Sequence, residues 1–377
     1  MVQTTLVSPR DLRSRTGTCN IIFKSQLFAK FGADKLILDV LGRTPTSCVL
    51  ITDSTVKRLH GSKIKDDLEK IAKTKVVSLP PGERSKTLVN CIRILSELAK
   101  FGLDKEGVIV TLGGGVVGDI GGFAAAIYKR GVDYVQIPTT LLAQVDSSIG
   151  GKTGVDTKWG KNQIGRIYYP LGVLIDPTFL RTLPRAEYLN GIGEIVKYGV
   201  TSSEGIFCEL EANNFESGFS DVLDLIEPCC KIKANIVSED ANDIAVRSIL
   251  NYGHTIGHAI EAGSDYTIPH GISVLLGMLC EGWISRELGI FDSIDFKRQE
   301  KLIGRIFSKH LTDFRLGEGR IVKFALTDKK LVGGVLKMAL PEKIGTMHKL
   351  CRHDFKTPVP LTLLKPSIAY AKKCLNI

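Results

Sequence analysis

"NYGHTIGHAIE", residues 251–261, places His254 and His258 four positions apart in a segment patterned as a helix. Residues four apart share one helical face, so the two imidazoles would point the same way. His270 follows in "IPHGIS", in a chain with only seven histidines. The spacing suits a divalent-cation site completed by a carboxylate or a third imidazole from elsewhere. It nominates His254 and His258 first and His270 third. Proton carriers and ordinary helix-face histidines are the competing readings. Glu194 and Lys197, three apart in "NGIGEIVKYG", share a face in the same way. A plain surface ion pair is the alternative there, and the glycine-rich, apolar flanks argue against it.

Two further stretches carry chemistry. "TLGGGVVGDIGG" contains Gly113-x-Gly115-x-x-Gly118 after a strand-like run. Glycines let a backbone approach a pyrophosphate, and a following helix aims its first amides at the charge. No acidic residue follows at the usual interval to hold a ribose hydroxyl, and such glycines also serve tight helix–sheet packing. "QVDSSIGGKTGVDTKWGKNQIG" (144–165) sets Asp146, Lys152, Lys161 and Asn162 among glycines. Ammonium groups and an amide beside a carboxylate suit an anionic polyol, with cations for phosphate and the carboxylate for hydroxyls. A solvated loop is the competing account.

The elements that must position these groups differ between the two halves. "SCVLITD" (47–53), "KVVSLPPGE" (75–83), "GVIVTLGGG" (107–115), "YVQIPTT" (134–140) and "GVLIDP" (172–177) read as strands, with helical stretches between several of them. That alternation predicts a parallel sheet faced by helices, with ligands beyond the carboxyl ends of its strands. After about residue 180 the segments take helical length and spacing, apart from a strand-like "GGVLKMALP" at 333–341. The boundary therefore falls near 180, with a cleft between the halves expected to hold any shared site.

Composition bounds the partners. The 377 residues are 44% hydrophobic and 24% charged, which is ordinary globular usage. A net charge of +10 raises nucleic-acid binding, but the basic residues are scattered singly rather than massed in runs. A small anionic substrate uses such charge better. Nine cysteines without a CxxC pair argue for reduced thiols and a cytoplasmic setting. No uninterrupted apolar run is long enough to span a membrane, and the first residues lack the apolar stretch of a secretory signal.

Together with "PPGERSK", "IPTTLLAQVDSSIGGKTGVD", "RSILNYGHTIGHAIE", "PHGISV" and "DKK", these segments resemble the 3-dehydroquinate synthase family, in the family's order from about residue 50 to 330. The resemblance implies an N-terminal Rossmann-like α/β domain over 1–180 that binds NAD, and an all-α C-terminal domain over 181–377 that binds metal and substrate. It implies a divalent metal, zinc or cobalt, on Glu194, His254 and His270, which moves His258 beside the metal and toward substrate. The family's nucleotide contacts fall on Asp53, Thr55, Glu83, Lys86, Gly114, Gly115, Val116 and Asp119. They continue through Thr139, Thr140, Leu142, Asp146, Ser147, Lys161, Asn162, Thr182 and Glu187. Substrate positions fall on Asp146, Lys152, Asn162, Lys197, Lys233, Arg247, Asn251 and His258, with Lys329 or Lys330 joining them. Arg130 matches an arginine that reaches the substrate phosphate across a homodimer interface. Two departures stand out: Thr55 replaces a frequent asparagine, and Asp243 replaces a longer glutamate near the active site.

The implied reaction converts 3-deoxy-D-arabino-heptulosonate 7-phosphate to 3-dehydroquinate. Transient oxidation at C5 by NAD acidifies the neighbouring C–H, phosphate is eliminated, the ketone is reduced again, and an intramolecular aldol step closes the ring. Lys152, Asn162, Arg130, His258 and the late lysine suit the phosphate, while the planar fork of Arg247 suits the carboxylate. His258 or Lys197 would relay protons. Another sugar-phosphate cyclase acting on an amino-substituted substrate, and a metal-dependent polyol dehydrogenase, are the alternatives; nucleic-acid and membrane partners are not expected.

Overall fold

β-Branched and leucine-rich runs build the strands of a first unit. The computed structural model describes residues 2–7, 18–215, 218–240, 245–308, 317–327, 331–332, 335–351 and 354–377. Its early strands are β1 (Val2–Val7), β2 (Thr18–Phe23), β3 (Ser47–Asp53), β4 (Lys73–Leu79), β5 (Val108–Gly113), β6 (Tyr134–Pro138), β7 (Lys152–Thr157), β8 (Gly160–Ile167) and β9 (Gly172–Ile175). Seven of these form one sheet in the order β1-β2-β9-β6-β5-β3-β4. The β1–β2 pair is antiparallel and the other pairs are parallel. A parallel sheet is covered on both faces, which is why β5, β6 and β9 are buried at every position.

Successive residues of a strand serve opposite faces. Cys48, Leu50, Val108 and Val110 pack against helices α1 (Ala33–Leu41) and α2 (Ser62–Glu69) through Leu36, Ile37, Ile64 and Leu68. Val49, Ile51 and Ile109 pack on the other side against α3 (Leu88–Phe101) and α4 (Gly115–Ile127) through Ile94, Leu98, Ile120 and Ala124.

The first unit comprises Met1–Pro184 with Lys233–Ala241, and the second comprises Arg185–Ile232 with Asn242–Ile377. The second unit is largely helical: α5 (Arg185–Ser202), α6 (Glu204–Ala212), α7 (Leu223–Glu239, whose last residues count with the first unit), α8 (His254–Gly263), α9 (His270–Glu287), α10 (Ser293–Phe307), α11 (Glu318–Thr327) and α12 (Leu364–Leu375). α9 is buried continuously from Gly271 to Gly282, as a helix packed on all sides must be. α5, α8, α10 and α12 pack around it.

Three features differ from the sequence expectation. The second unit is largely helical but not all-α: Val335–Ala339, within the strand-like run at 333–341, pairs with Leu331–Val332 and Lys356–Val359, and Pro341–Lys343 pairs with Thr346–Met347. β1 and β2 form the edge of the main sheet, a place the sequence reading left without strands. The glycine-rich belt at 144–165 is not a loop throughout, because β7 and β8 form an antiparallel hairpin. Its glycines allow close backbone approach: a Cβ on Gly154 would lie 2.7 Å from the Ile164 carbonyl oxygen, and one on Gly165 would meet the Thr153 carbonyl oxygen. All nine cysteines are free. Among the described residues no helix is long and apolar enough to cross a membrane.

Candidate metal centre and nucleotide site

The second unit brings Glu194, His254 and His270 together. Glu194 lies inside α5, while His254 and His270 are the first residues of α8 and α9. These helices meet backbone to backbone. A Cβ on Gly271 would collide with the Asn190 carbonyl oxygen of α5, and one on Gly277 with the Gly253 carbonyl oxygen before α8. Only glycine permits both approaches, and they draw the three side chains to one point.

At that point Glu194 Oε1 stands 3.4 Å from His254 Nε2 and 3.5 Å from His270 Nε2. Ligands about 2.0–2.2 Å from a tetrahedral zinc ion lie roughly 3.4 Å from one another. Both Glu194 oxygens are enclosed: Oε2 lies against the Lys197 ammonium, while Oε1 faces the two imidazole nitrogens without an aligned hydrogen bond, a place a cation would fill. The donor set and its spacing therefore fit a divalent cation. Each imidazole is turned by its other nitrogen: His254 Nδ1 lies 3.1 Å from the Tyr252 carbonyl oxygen, and His270 Nδ1 lies 3.0 Å from Glu261 Oε2. With Nδ1 donating, Nε2 keeps the lone pair that a metal needs.

The electrostatics agree. Burial pushes the Glu194 carboxyl up, but the Lys197 ammonium against Oε2 and the facing His254 hold it well below the usual range. Burial draws His254 below the ordinary imidazole value despite Glu194. Burial opposes charge on His270 as well, yet Glu261 and Glu194 push it up to about 10.

His258 shares the ring cluster, 5.2 Å from the His254 centroid and 5.8 Å from that of His270. Its Nε2 lies 4.0 Å from Glu261, and it groups with Glu261 and His270 rather than with Glu194. Arg247 is buried in the short 3₁₀ helix Val246–Asn251, which ends at Asn251. Asp243, Lys329 and Lys330 lie outside the described residues.

Most of the positions that the resemblance assigns to a nucleotide lie in the first unit, several of them at the carboxyl ends of its strands. β3, β5 and β6 end in register, Thr52 beside Leu112 and Gly113 beside Pro138. β4 and β5 flank β3 on opposite sides, so the crossovers diverge at β3 and β5, the switch point beyond whose carboxyl ends a ligand crevice is expected in open α/β sheets. Asp53 is the last residue of β3, and Gly114, Gly115, Val116, Thr139 and Thr140 follow the ends of β5 and β6. The glycine cluster divides its work. A Cβ on Gly114 would lie 2.9 Å from Thr140 Cγ2 and one on Gly115 would lie 2.9 Å from Ser147 Oγ, at the mouth of α4. Gly121 and Gly122 instead press α4 onto Thr111 and Thr153.

Asp53 Oδ1 accepts from the Thr55 and Val56 amides, so this carboxylate also caps a helical turn. Buried Lys86 donates to Asp119 Oδ2 and to Asn162 Oδ1, each at 2.5 Å. Glu83 lies 3.6 Å from Lys161. Burial disfavours the Lys86 ammonium, but Asp119 and Glu83 raise its pKa on balance. Burial raises the Asp119 carboxyl despite Lys86. Lys233 donates to the Asp146 carbonyl at 2.6 Å and pairs with its carboxylate at 2.8 Å. Thr182 Oγ1 meets His60 Nε2 at 2.8 Å. Leu142 is half-buried, Lys152 is exposed at the start of β7, and Arg130 is exposed in a turn with φ +63. Glu187 belongs to the second unit, where its Oε2 accepts from Asn190 Nδ2 at 3.3 Å.

Several contributors escaped the sequence reading. Glu261 lies seven residues beyond His254, on the same face of α8, and that spacing was available as a signal. Asn190, four before Glu194, accepts from the Gly271 amide at 2.6 Å and so caps the helix that starts at His270. Asp156 accepts from the Asn162 amide at 2.8 Å and anchors that residue at φ +55; nothing in its sequence context marks it.

Residues 76–190 match the sequence profile of the 3-dehydroquinate synthase N-terminal domain, and residues 191–331 match that of the C-terminal domain. The 3-dehydroquinate synthase of Thermodesulfovibrio yellowstonii is 40% identical over 303 residues, 79% of this chain and 84% of the relative. That of Alkaliphilus metalliredigens is 40% identical over 324 residues, 85% of this chain and 87% of the relative. In fold the chain is similar to a 2-deoxy-scyllo-inosose synthase solved with carbaglucose-6-phosphate, NAD+ and Co2+, with a TM-score of 0.86, 24% identity and coverage of 98% of this chain and 99% of that one. The chain belongs to the 3-dehydroquinate synthase family.

Proposed function

We propose that this protein is a 3-dehydroquinate synthase, converting 3-deoxy-D-arabino-heptulosonate 7-phosphate to 3-dehydroquinate and phosphate. The observation that carries the reading is the meeting of two imidazole Nε2 atoms at 3.4 and 3.5 Å from one buried carboxylate oxygen, in a chain 40% identical to 3-dehydroquinate synthases over most of its length. Glu194, His254 and His270 would hold a divalent cation, zinc or cobalt, which supplies Lewis acidity toward substrate hydroxyls. The β3–β5 crevice would hold NAD, which supplies a hydride acceptor that is regenerated in each turnover.

The chain's own residues bind, orient and move protons. Lys86, clamped by Asp119 and Asn162, sets a fixed positive charge beside the crevice. Lys152 and Asn162 are assigned to the substrate phosphate, and Arg247 to the carboxylate, which its planar fork fits. Lys197, held against Glu194, and His258, half-exposed beside the ring cluster, are the candidate proton carriers. Positioned charges of this kind lower the elimination barrier without reorganising during the reaction.

Incubating the protein with the heptulosonate phosphate, NAD and Zn2+ tests the assignment. Release of phosphate and a carbocycle without accumulated 340 nm absorbance is expected. Stoichiometric NADH would identify a polyol dehydrogenase instead, and turnover only of an amino-substituted substrate would identify a different cyclase. Lys152→Ala should raise KM and lower kcat while NAD affinity stays near wild type; an equal loss of NAD binding would reassign that lysine. The protein is further proposed to act as a homodimer in which Arg130 serves the neighbouring site. Mixing inactive Arg130→Ala and His254→Ala chains should then restore about one quarter of the sites by random pairing in a two-fold dimer. No recovery would place Arg130 in its own chain's site.

A further inference from the structure

Glu281 sits within the apolar run "VLLGMLCEGW" of α9 and is fully buried. A carboxylate in such surroundings is costly unless its oxygens receive strong donors. Here Oε2 accepts from the Gly253 amide at 2.8 Å and Oε1 from the Ile256 amide at 2.9 Å. Those amides belong to the start of α8, the helix whose first residue is His254. The residue preceding that helix is Gly253, at φ +77, and it has no side chain to cap with. The cap that a Ser or Asp would ordinarily provide from within the sequence arrives from another helix.

The contact to Gly253 has a second consequence. The Tyr252–Gly253 peptide is trans and planar, so its N–H and C=O point in opposite directions. Its N–H donates to Glu281, and its C=O receives His254 Nδ1 at 3.1 Å. Turning this peptide would break both contacts at once. Glu281 therefore fixes the plane whose carbonyl sets the tautomer and rotation of His254, and so directs Nε2 at Glu194.

We propose that Glu281 is a positioning residue for the metal centre, acting on His254 through the Tyr252–Gly253 peptide. The proposal rests on the reading of Glu194, His254 and His270 as cation ligands. It is tested with metal-free wild type, Glu281→Gln and the similarly sized Glu281→Met, each titrated with Co2+ against a competing chelator while the visible Co2+ absorption is recorded. Partners that orient metal-bound histidines typically change affinity about 10- to 100-fold when removed. Glu281→Met is expected to lose at least about tenfold in Co2+ affinity with a shifted visible spectrum, and Glu281→Gln, which keeps one acceptor, to lose less. NAD binding, a property of the other unit, should persist in both. Folded variants that bind NAD and show wild-type Co2+ affinity and spectrum would overturn the proposal while leaving the metal centre intact. A wild type that takes up no Co2+ would overturn the metal reading itself. Should neither variant fold, amide exchange at Gly253 in metal-free wild type decides. Slow exchange is expected, because the cap forms before the metal. Fast exchange that slows only on Co2+ binding would assign the ordering to the metal and overturn the proposal.

Discussion

Glu194→Gln is expected to lose its bound cation and to turn over more slowly by on the order of 10³-fold, about 4 kcal/mol of barrier. An amide oxygen is a weak ligand, and with that oxygen turned toward the imidazoles the NH₂ takes the place of Oε2, against the Lys197 ammonium. The substitution also strips the buried Lys197 ammonium of the carboxylate beside it. Removing one member of a buried pair commonly costs about 3–5 kcal/mol of stability. The pH dependence has a definite sign. A carboxyl held below its ordinary value of 4.5 stabilises the fold above that pH and loses this contribution as pH falls through the folded value. The variant should lack that acid limb. Metal content after gel filtration, kcat and melting as a function of pH read the three effects separately; full metal content with full turnover would remove Glu194 from the centre.

Lys86→Met carries the second large effect. The ammonium it removes is shared by Asp119 and Asn162, each at 2.5 Å. Asp119 would be left enclosed without its chief counter-charge. Removing one member of a buried pair commonly costs about 3–5 kcal/mol of stability, and with the fixed positive charge beside the crevice gone NAD affinity should fall as well. Asp119 escapes part of the stability penalty by taking up a proton. Burial already raises its carboxyl with Lys86 in place, and the variant raises it further. A group whose folded pKa is raised favours the fold at low pH, so the variant's stability should decline as pH rises through that value. Calorimetric titration with NAD and melting across the acid range test both statements. Unchanged NAD affinity would make Lys86 a purely structural residue.

How much was legible in advance depends on where the signal is local. The runs ending at Asp53, Gly113 and Pro138 are strands because a parallel sheet buried on both faces writes itself as continuous apolar stretches. β7 and β8 were hidden because glycine and lysine are poor strand formers, and their pairing relies on close backbone approach that no single residue announces. At the metal centre, periodicity alone joins His254 to His258, since both lie on one face of α8. It cannot see that α9 begins where its first imidazole also faces Glu194, while His258 lies nearer Glu261. The resemblance supplied that triad; contacts from other helices supplied the rest. Asn190 and Glu281 cap helices that are distant in sequence, and such partners are legible only once the packing is known.

A crystal structure of the Co2+-loaded protein, with anomalous diffraction recorded at the cobalt edge, tests the central claim most directly. The account predicts one strong peak roughly 2.0–2.2 Å from Glu194 Oε1, His254 Nε2 and His270 Nε2 together. A peak held by His258 and Glu261 with Glu194 uncoordinated, or no peak among these residues, would contradict it.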